Sequence, residues 1–188
     1  MKKIVTVFAI VLGCFATYAQ EFTATEKYTV VNERSLDQKE ENGRALIDLV
    51  ATENLSNPIA TLKIAEQELL EEVHITSLKA PGLEAIVEIL KVELVYSACC
   101  VSTDTYYFLV SEDRDFINLP RLENVYCEDP ETDTHYIFPI QSYGREGMIL
   151  RTKKHYTATH ETKEIEVTQS FVWNDDDFDQ EEAISAIK

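Results

Sequence analysis

The sequence predicts an α+β domain: an antiparallel meander of five or six strands, mainly over residues 90–173, with short N-terminal helices packed on it. A mainly-β sandwich is the alternative. Three observations carry this reading. In LKVELVYSACC (90–100), Leu90, Val92, Leu94, Tyr96, Ala98 and Cys100 share one face, with Lys91, Glu93, Ser97 and Cys99 on the other, and that period of two marks a half-buried strand. Two hairpin patterns follow it. Upstream, apolar residues recur instead at helical spacing.

The first residues are a separate matter. Lys2 and Lys3 precede the apolar run Ile4–Phe15, and Thr17-Tyr18-Ala19 ends it. Charged, apolar and cleavage regions in that order read as a secretory signal, residues 1–19, and the run is too short to span a membrane. Its two-lysine start and Ala-Gln end resemble export signals of Gram-negative bacteria. Val11-Leu12-Gly13-Cys14 offers the alternative of a lipoprotein anchored through Cys14. The expected organisation is a single globular domain over 20–174, large enough to bury roughly 70% of its unfolded surface, and an acidic tail or short helix over 175–188.

Within the domain, Phe22–Val31 is β-prone and reads as a first strand. Leu46, Leu49, Val50 and Glu53 repeat at helical spacing behind an Asn42 cap, which predicts a short helix. Ser56-Asn57-Pro58 reads as a second helix start. From it Ile59, Leu62, Leu69, Leu70 and Val73 fall on one face, although Leu62-Lys63-Ile64 also alternates as a strand. Ala80-Pro81-Gly82 marks a turn, and residues 83–90 fit helix or strand. Thr105–Val110 and Phe116–Leu119 form a hairpin ended by Pro120. His135–Ile140, with Pro139, belongs at a sheet edge. Met148–Thr157 and Glu164–Trp173 form the last hairpin, in which Ile165, Val167, Phe171 and Trp173 share a face with Gln169. Gly and Pro number only five each, which argues against a long disordered region.

Three cysteines remain after signal removal. Neighbouring strand residues point to opposite faces, so Cys99 and Cys100 cannot both reach one partner. The expected disulfide joins Cys100 to Cys127, with Cys99–Cys127 as the alternative, and one thiol is left over. Closing a loop of about 28 residues stabilises the fold by roughly 3 to 4 kcal/mol. No Cys-x-x-Cys pair is present, and a zinc site from these cysteines and His135 has unusual spacing.

Motifs for chemistry are few. His160-Glu161-Thr162-Lys163-Glu164 lacks the second histidine of a zinc protease and falls at a hairpin turn with His155 across it. Asp175, Asp177 and Asp179 alternate as in calcium loops, yet the glycine of the sharp turn is missing and position twelve is Ala186. These acids also favour the N-terminus of a final helix from Asp179. There is no Gly-x-Ser-x-Gly elbow and no phosphate loop. No cofactor is expected.

The formal net charge of −17 repels nucleic acid and anionic lipid and attracts basic proteins or cationic peptides. The loop residues Glu128, Asp129, Glu131 and Asp133 form a candidate acidic docking surface. The sequence therefore reads as a non-enzymatic, exported bacterial binding or interaction domain, periplasmic or extracellular. The alternatives are an inhibitor of a basic enzyme such as lysozyme and a hydrolase using carboxylates that a single chain does not reveal. Intact-mass analysis of the exported protein is expected to place the mature N-terminus at Gln20; a chain that keeps its leader contradicts the export reading.

Overall fold

The computed structural model describes residues 19–31, 45–127, 132–157, 159, 161–174 and 177–181. Over these residues the chain is nearly all β. The central sheet has six strands: β1 (Thr23–Ala24), β5 (Leu70–Lys79), β6 (Ile86–Ser97), β7 (Val101–Ser111), β8 (Phe116–Asn118) and β9 (Leu122–Tyr126). A three-stranded sheet contains β2 (Tyr28–Val31), β3 (Ala45–Ala51) and β4 (Asn54–Ile64). A four-stranded sheet contains β10 (Thr132–Ile137), β11 (Met148–Tyr156), β12 (Thr162–Asn174) and β13 (Asp177–Glu181). Every pairing is antiparallel.

The expected α+β class is therefore corrected to a layered β-sandwich, and the expected single meander is divided between two sheets. The N-terminal helices are absent from the described residues, where helix is limited to one 3-10 turn, Gln67–Leu69. Residues 45–64 form a hairpin, β3–β4, turning at Thr52-Glu53. Local alternation prevails there: Leu62 and Ile64 are buried while Thr61 and Lys63 are exposed, which fits a pleat and not a helical stripe. Pro58 is not a first helical residue. It lies in β4, at the edge of its sheet, where the register shifts between Leu49 and Val50, so its missing N–H costs no regular ladder bond. Asp48, from the expected first helix, is buried and accepts a hydrogen bond from the Thr61 hydroxyl at 2.7 Å. The first expected strand is also divided, with β1 joining the central sheet and β2 the three-stranded one.

The central sheet is apolar on both faces. Leu90, Val92, Leu94, Tyr96, Phe108 and Val110 pack with Ile47, Leu49, Leu62 and Ile64 of the three-stranded sheet. Ile89, Tyr107, Leu109 and Leu122 pack with Tyr136, Phe138, Ile149, Phe171 and Trp173 of or beside the four-stranded sheet. The Trp173 indole N–H donates to the Glu84 carbonyl at 2.8 Å, fixing β12 to the turn before β6.

A bulge changes the reading of β12. Arg151 pairs with Gln169, but Thr152 pairs with Val167, so Thr168 is the extra residue. It switches the facing of the strand. Phe171 and Trp173 enter the main core, whereas Ile165 and Val167 join Ile137 and Leu150 in a cluster of their own. Beyond β12, Asp177–Glu181 pairs as a strand, in place of the start of the expected final helix.

The disulfide joins Cys100 to Cys127, with Cα atoms 4.9 Å apart, one step past the Val101–Tyr126 pair of β7 and β9. Cys99 is exposed and free. Replacing Cys100 and Cys127 together by serine is expected to lower the unfolding free energy in urea by about 3 to 4 kcal/mol. Cys99→Ser should change it by less than about 0.5 kcal/mol.

Candidate functional site

The central and four-stranded sheets meet along one seam, between β9 and β10. The Asn124 side chain makes it: its amide N–H donates to the Thr134 carbonyl at 3.1 Å, and its Oδ1 accepts the Thr134 N–H at 2.7 Å. One side chain thus performs the two-bond exchange of a strand residue. Beside this seam the sheets diverge around a cleft of about 420 Å³, within the size range of small-ligand sites.

The cleft follows from β6. Its alternation sends Val92 and Leu94 into the other core and leaves Lys91 and Glu93 facing this side with Thr105 and Tyr107 opposite them on β7. Charged side chains cannot be covered by an apolar sheet, so the layers separate here. The floor is aromatic. Tyr107 lies edge-on to Tyr136 at 5.1 Å and to Phe22 at 6.0 Å between ring centroids. The Tyr136 hydroxyl donates to the Pro120 carbonyl at 3.1 Å. Burial pushes the Tyr107 phenol far above its ordinary pKa, so it remains a neutral hydroxyl.

The walls carry charge in bonded sets. Lys91 Nζ lies 2.7 Å from Glu93 Oε2 and 5.3 Å above the Phe22 ring. Asp133 accepts the Tyr126 hydroxyl on Oδ1 and the Tyr156 hydroxyl on Oδ2, the latter at 2.7 Å. Burial, then the bond to Asp133, raises the Tyr126 pKa. Lys154 pairs with Asp133 in the ladder, and its ammonium sits 5.1 Å over the Tyr156 ring. His135 Nε2 is 3.3 Å from the Thr152 hydroxyl, which donates to the His135 carbonyl at 3.1 Å. Burial, followed by the Lys154 charge, lowers the His135 pKa from 6.5, with Asp133 opposing. A neutral imidazole results near neutral pH.

A second cleft, about 630 Å³, lies between the end of β4, the β6–β7 turn and β9. Asp104, 6% exposed, forms its polar base. Arg121 Nη1 lies 3.3 Å from Asp104 Oδ2, and the Tyr96 hydroxyl donates to the same oxygen at 3.4 Å. Burial raises the Asp104 pKa against the opposing Arg121 charge. Burial also pushes Tyr96 up to about 12.

The residues singled out in the sequence are not gathered into one site. Of the acidic docking loop, Glu128, Asp129 and Glu131 lie outside the described residues, and Asp133 is bonded to two tyrosines at the cleft. Of the calcium candidates, Asp175 lies outside them as well, while Asp177 and Asp179 stand in β13 and pair with Asn174 and Val172, a strand where such a site needs a loop. Cys100 and Cys127 are joined as a disulfide, not held as thiolates. His155 Nε2 faces Glu166 at 3.6 Å; His160 lies outside the described residues. No group of three metal-binding side chains occurs among the described residues. Sequence reading missed Asn124, Tyr126 and Tyr156; only the polar face of β6, with Lys91 and Glu93, signalled the cleft. No protein-family model, curated protein or solved structure matches the chain.

The lowered His135 pKa gives a signed pH effect. The unfolded histidine takes a proton below 6.5, before the folded one does, so acidification through that window removes stability. Urea unfolding is expected to show a smaller loss between pH 7 and pH 5 for His135→Asn than for the parent; equal losses contradict the assignment.

Proposed function

We propose that this chain is a non-catalytic binding domain acting outside the cytoplasm, with its ligand held in the cleft between the central and four-stranded sheets. The observation that supports it best is the engagement of the cleft's ionisable groups with one another. Glu93 holds Lys91, both Asp133 oxygens accept tyrosine hydroxyls, and His135 rests on Thr152. General acid–base chemistry uses a group whose proton is exchanged with the substrate. These groups instead fix each other's rotamers, and a wall fixed before the ligand arrives lowers the ordering cost of binding. The Cys100–Cys127 disulfide supports an oxidising compartment.

One observation favours a second reading, a hydrolase using carboxylates: Glu93 and Asp133 line the same cleft. The inhibitor reading draws on the net charge of −17, which speeds encounter with a basic enzyme. Asp133, however, is bonded inward and contributes little to an outward-facing anionic surface.

Titration of isotope-labelled protein with a library of small polar metabolites is expected to move the amide signals of Glu93, Asn124 and His135, with every compound recovered unchanged. Conversion of a compound that stops in Glu93→Gln would establish the hydrolase instead. Signals that move only outside the cleft would remove the binding reading.

A further inference from the structure

The turn after β10 carries an unusual residue at the mouth of the cleft. Tyr143 has φ of 68° and is 55% exposed. A bulky residue in that region is an outlier, and an exposed ring gains little burial to offset it. The turn leaves little choice of backbone. Gln141 N–H donates to the Phe138 carbonyl at 3.0 Å, and Gly144 N–H donates to the Gln141 carbonyl at 2.9 Å. At Gly144 a Cβ would stand 2.1 Å from the Phe138 oxygen, so the chain folds back in contact with itself. Glycine suits position 143 better on conformational grounds. Retention of a strained aromatic at the rim of a cleft points to a role in contact with a ligand.

The lining defines what that ligand is. Lys91 and Glu93 are paired, and Lys154 faces Asp133 across the ladder, so an anion or a cation entering here meets both signs at once. A hydroxyl group both donates and accepts, and neighbouring hydroxyls match an adjacent carboxylate and ammonium without displacing either. Gln141 adds donors, because its Oε1 already accepts the Phe138 N–H at 3.0 Å. Among the aromatic side chains lining the cleft Tyr143 is the exposed one, whereas Tyr107 and Tyr136 are buried and Lys91 and Lys154 sit over Phe22 and Tyr156. An exposed electron-rich ring face attracts C–H groups. A molecule with a hydroxylated edge and a C–H face is a sugar ring, and about 420 Å³ is room for one or two rings.

We propose that the cleft is a saccharide-binding site in which Tyr143 is the stacking platform and the Lys91–Glu93 pair bonds the ring hydroxyls. The proposal rests on the binding reading of the same cleft. Its test is calorimetric titration with glucose, galactose, N-acetylglucosamine and their β-linked and α-linked trimers, with glycylglycine and citrate as non-sugar probes, followed by heteronuclear mapping of any binder. At least one saccharide is expected to bind and to move the Glu93 and Tyr143 signals. Tyr143→Gly should weaken that saccharide by at least about tenfold while the melting temperature stays level or rises, a combination that a structural tyrosine does not give. Glu93→Gln should weaken it as well. Absence of binding by every saccharide overturns the proposal, as does affinity that survives both substitutions. Glycylglycine bound in the cleft without any saccharide overturns the sugar assignment and leaves the cleft-binding reading in place; binding mapped away from the cleft overturns both.

Discussion

A sheet that is apolar on both faces must be covered twice, and this requirement organises the whole chain. In β6, Leu90, Val92 and Leu94 are withdrawn from water on one side and Ile89 on the other. The three-stranded sheet supplies one cover and the four-stranded sheet the second. Burial on that scale is the main favourable term in the fold. It also fixes register, since a one-residue slip of β6 would drive Lys91 and Glu93 into the first core. The cleft is the complement of the same rule. Where the second face turns from Ile89 to Lys91 and Glu93, the covering layer cannot close.

Two covalent and polar ties hold the open region in shape. The disulfide secures the start of β7 to the end of β9, and the Asn124 amide secures β9 to β10. Asp133 then gathers tyrosines from β9 and β11 around one carboxylate. The cleft wall is thus attached to both layers, with its polar groups already bonded. A wall of this kind needs little rearrangement to receive a ligand, the property on which the binding reading depends.

The legible part of the fold was the part whose pattern is local. The alternation from Leu90 to Ser97, the Thr105–Leu119 hairpin and the last hairpin reappear in β6, β7–β8 and β11–β12, and Cys100 pairs with Cys127 as expected. Ala98–Cys100, however, form the turn to β7 with Ala98 exposed, so the expected strand ends three residues early. Residues 45–79 misled because Leu46, Leu49, Val50 and the set from Ile59 to Val73 satisfy helical spacing, while pairing with distant strands decides the outcome. Nothing local announces the Thr168 bulge, yet it turns Ile165 and Val167 away from Phe171. The cleft was illegible for a related reason. Its strand residues come from six strands of two sheets, and Tyr126 or Asn124 acquires meaning only once Asp133 and Thr134 stand beside it.

Among the described residues the three-stranded layer ends in β4, whose outer edge pairs with no further strand, and β4 carries an exposed Leu55. Such a border is where amyloid-like stacking between neighbouring molecules begins. The proline at position 58 and the irregular register around it interrupt the regular run of backbone donors along this strand. Pro58, which reads in sequence as a helix start, thus stands in a strand at the border of its sheet, the position within sheets to which proline is confined.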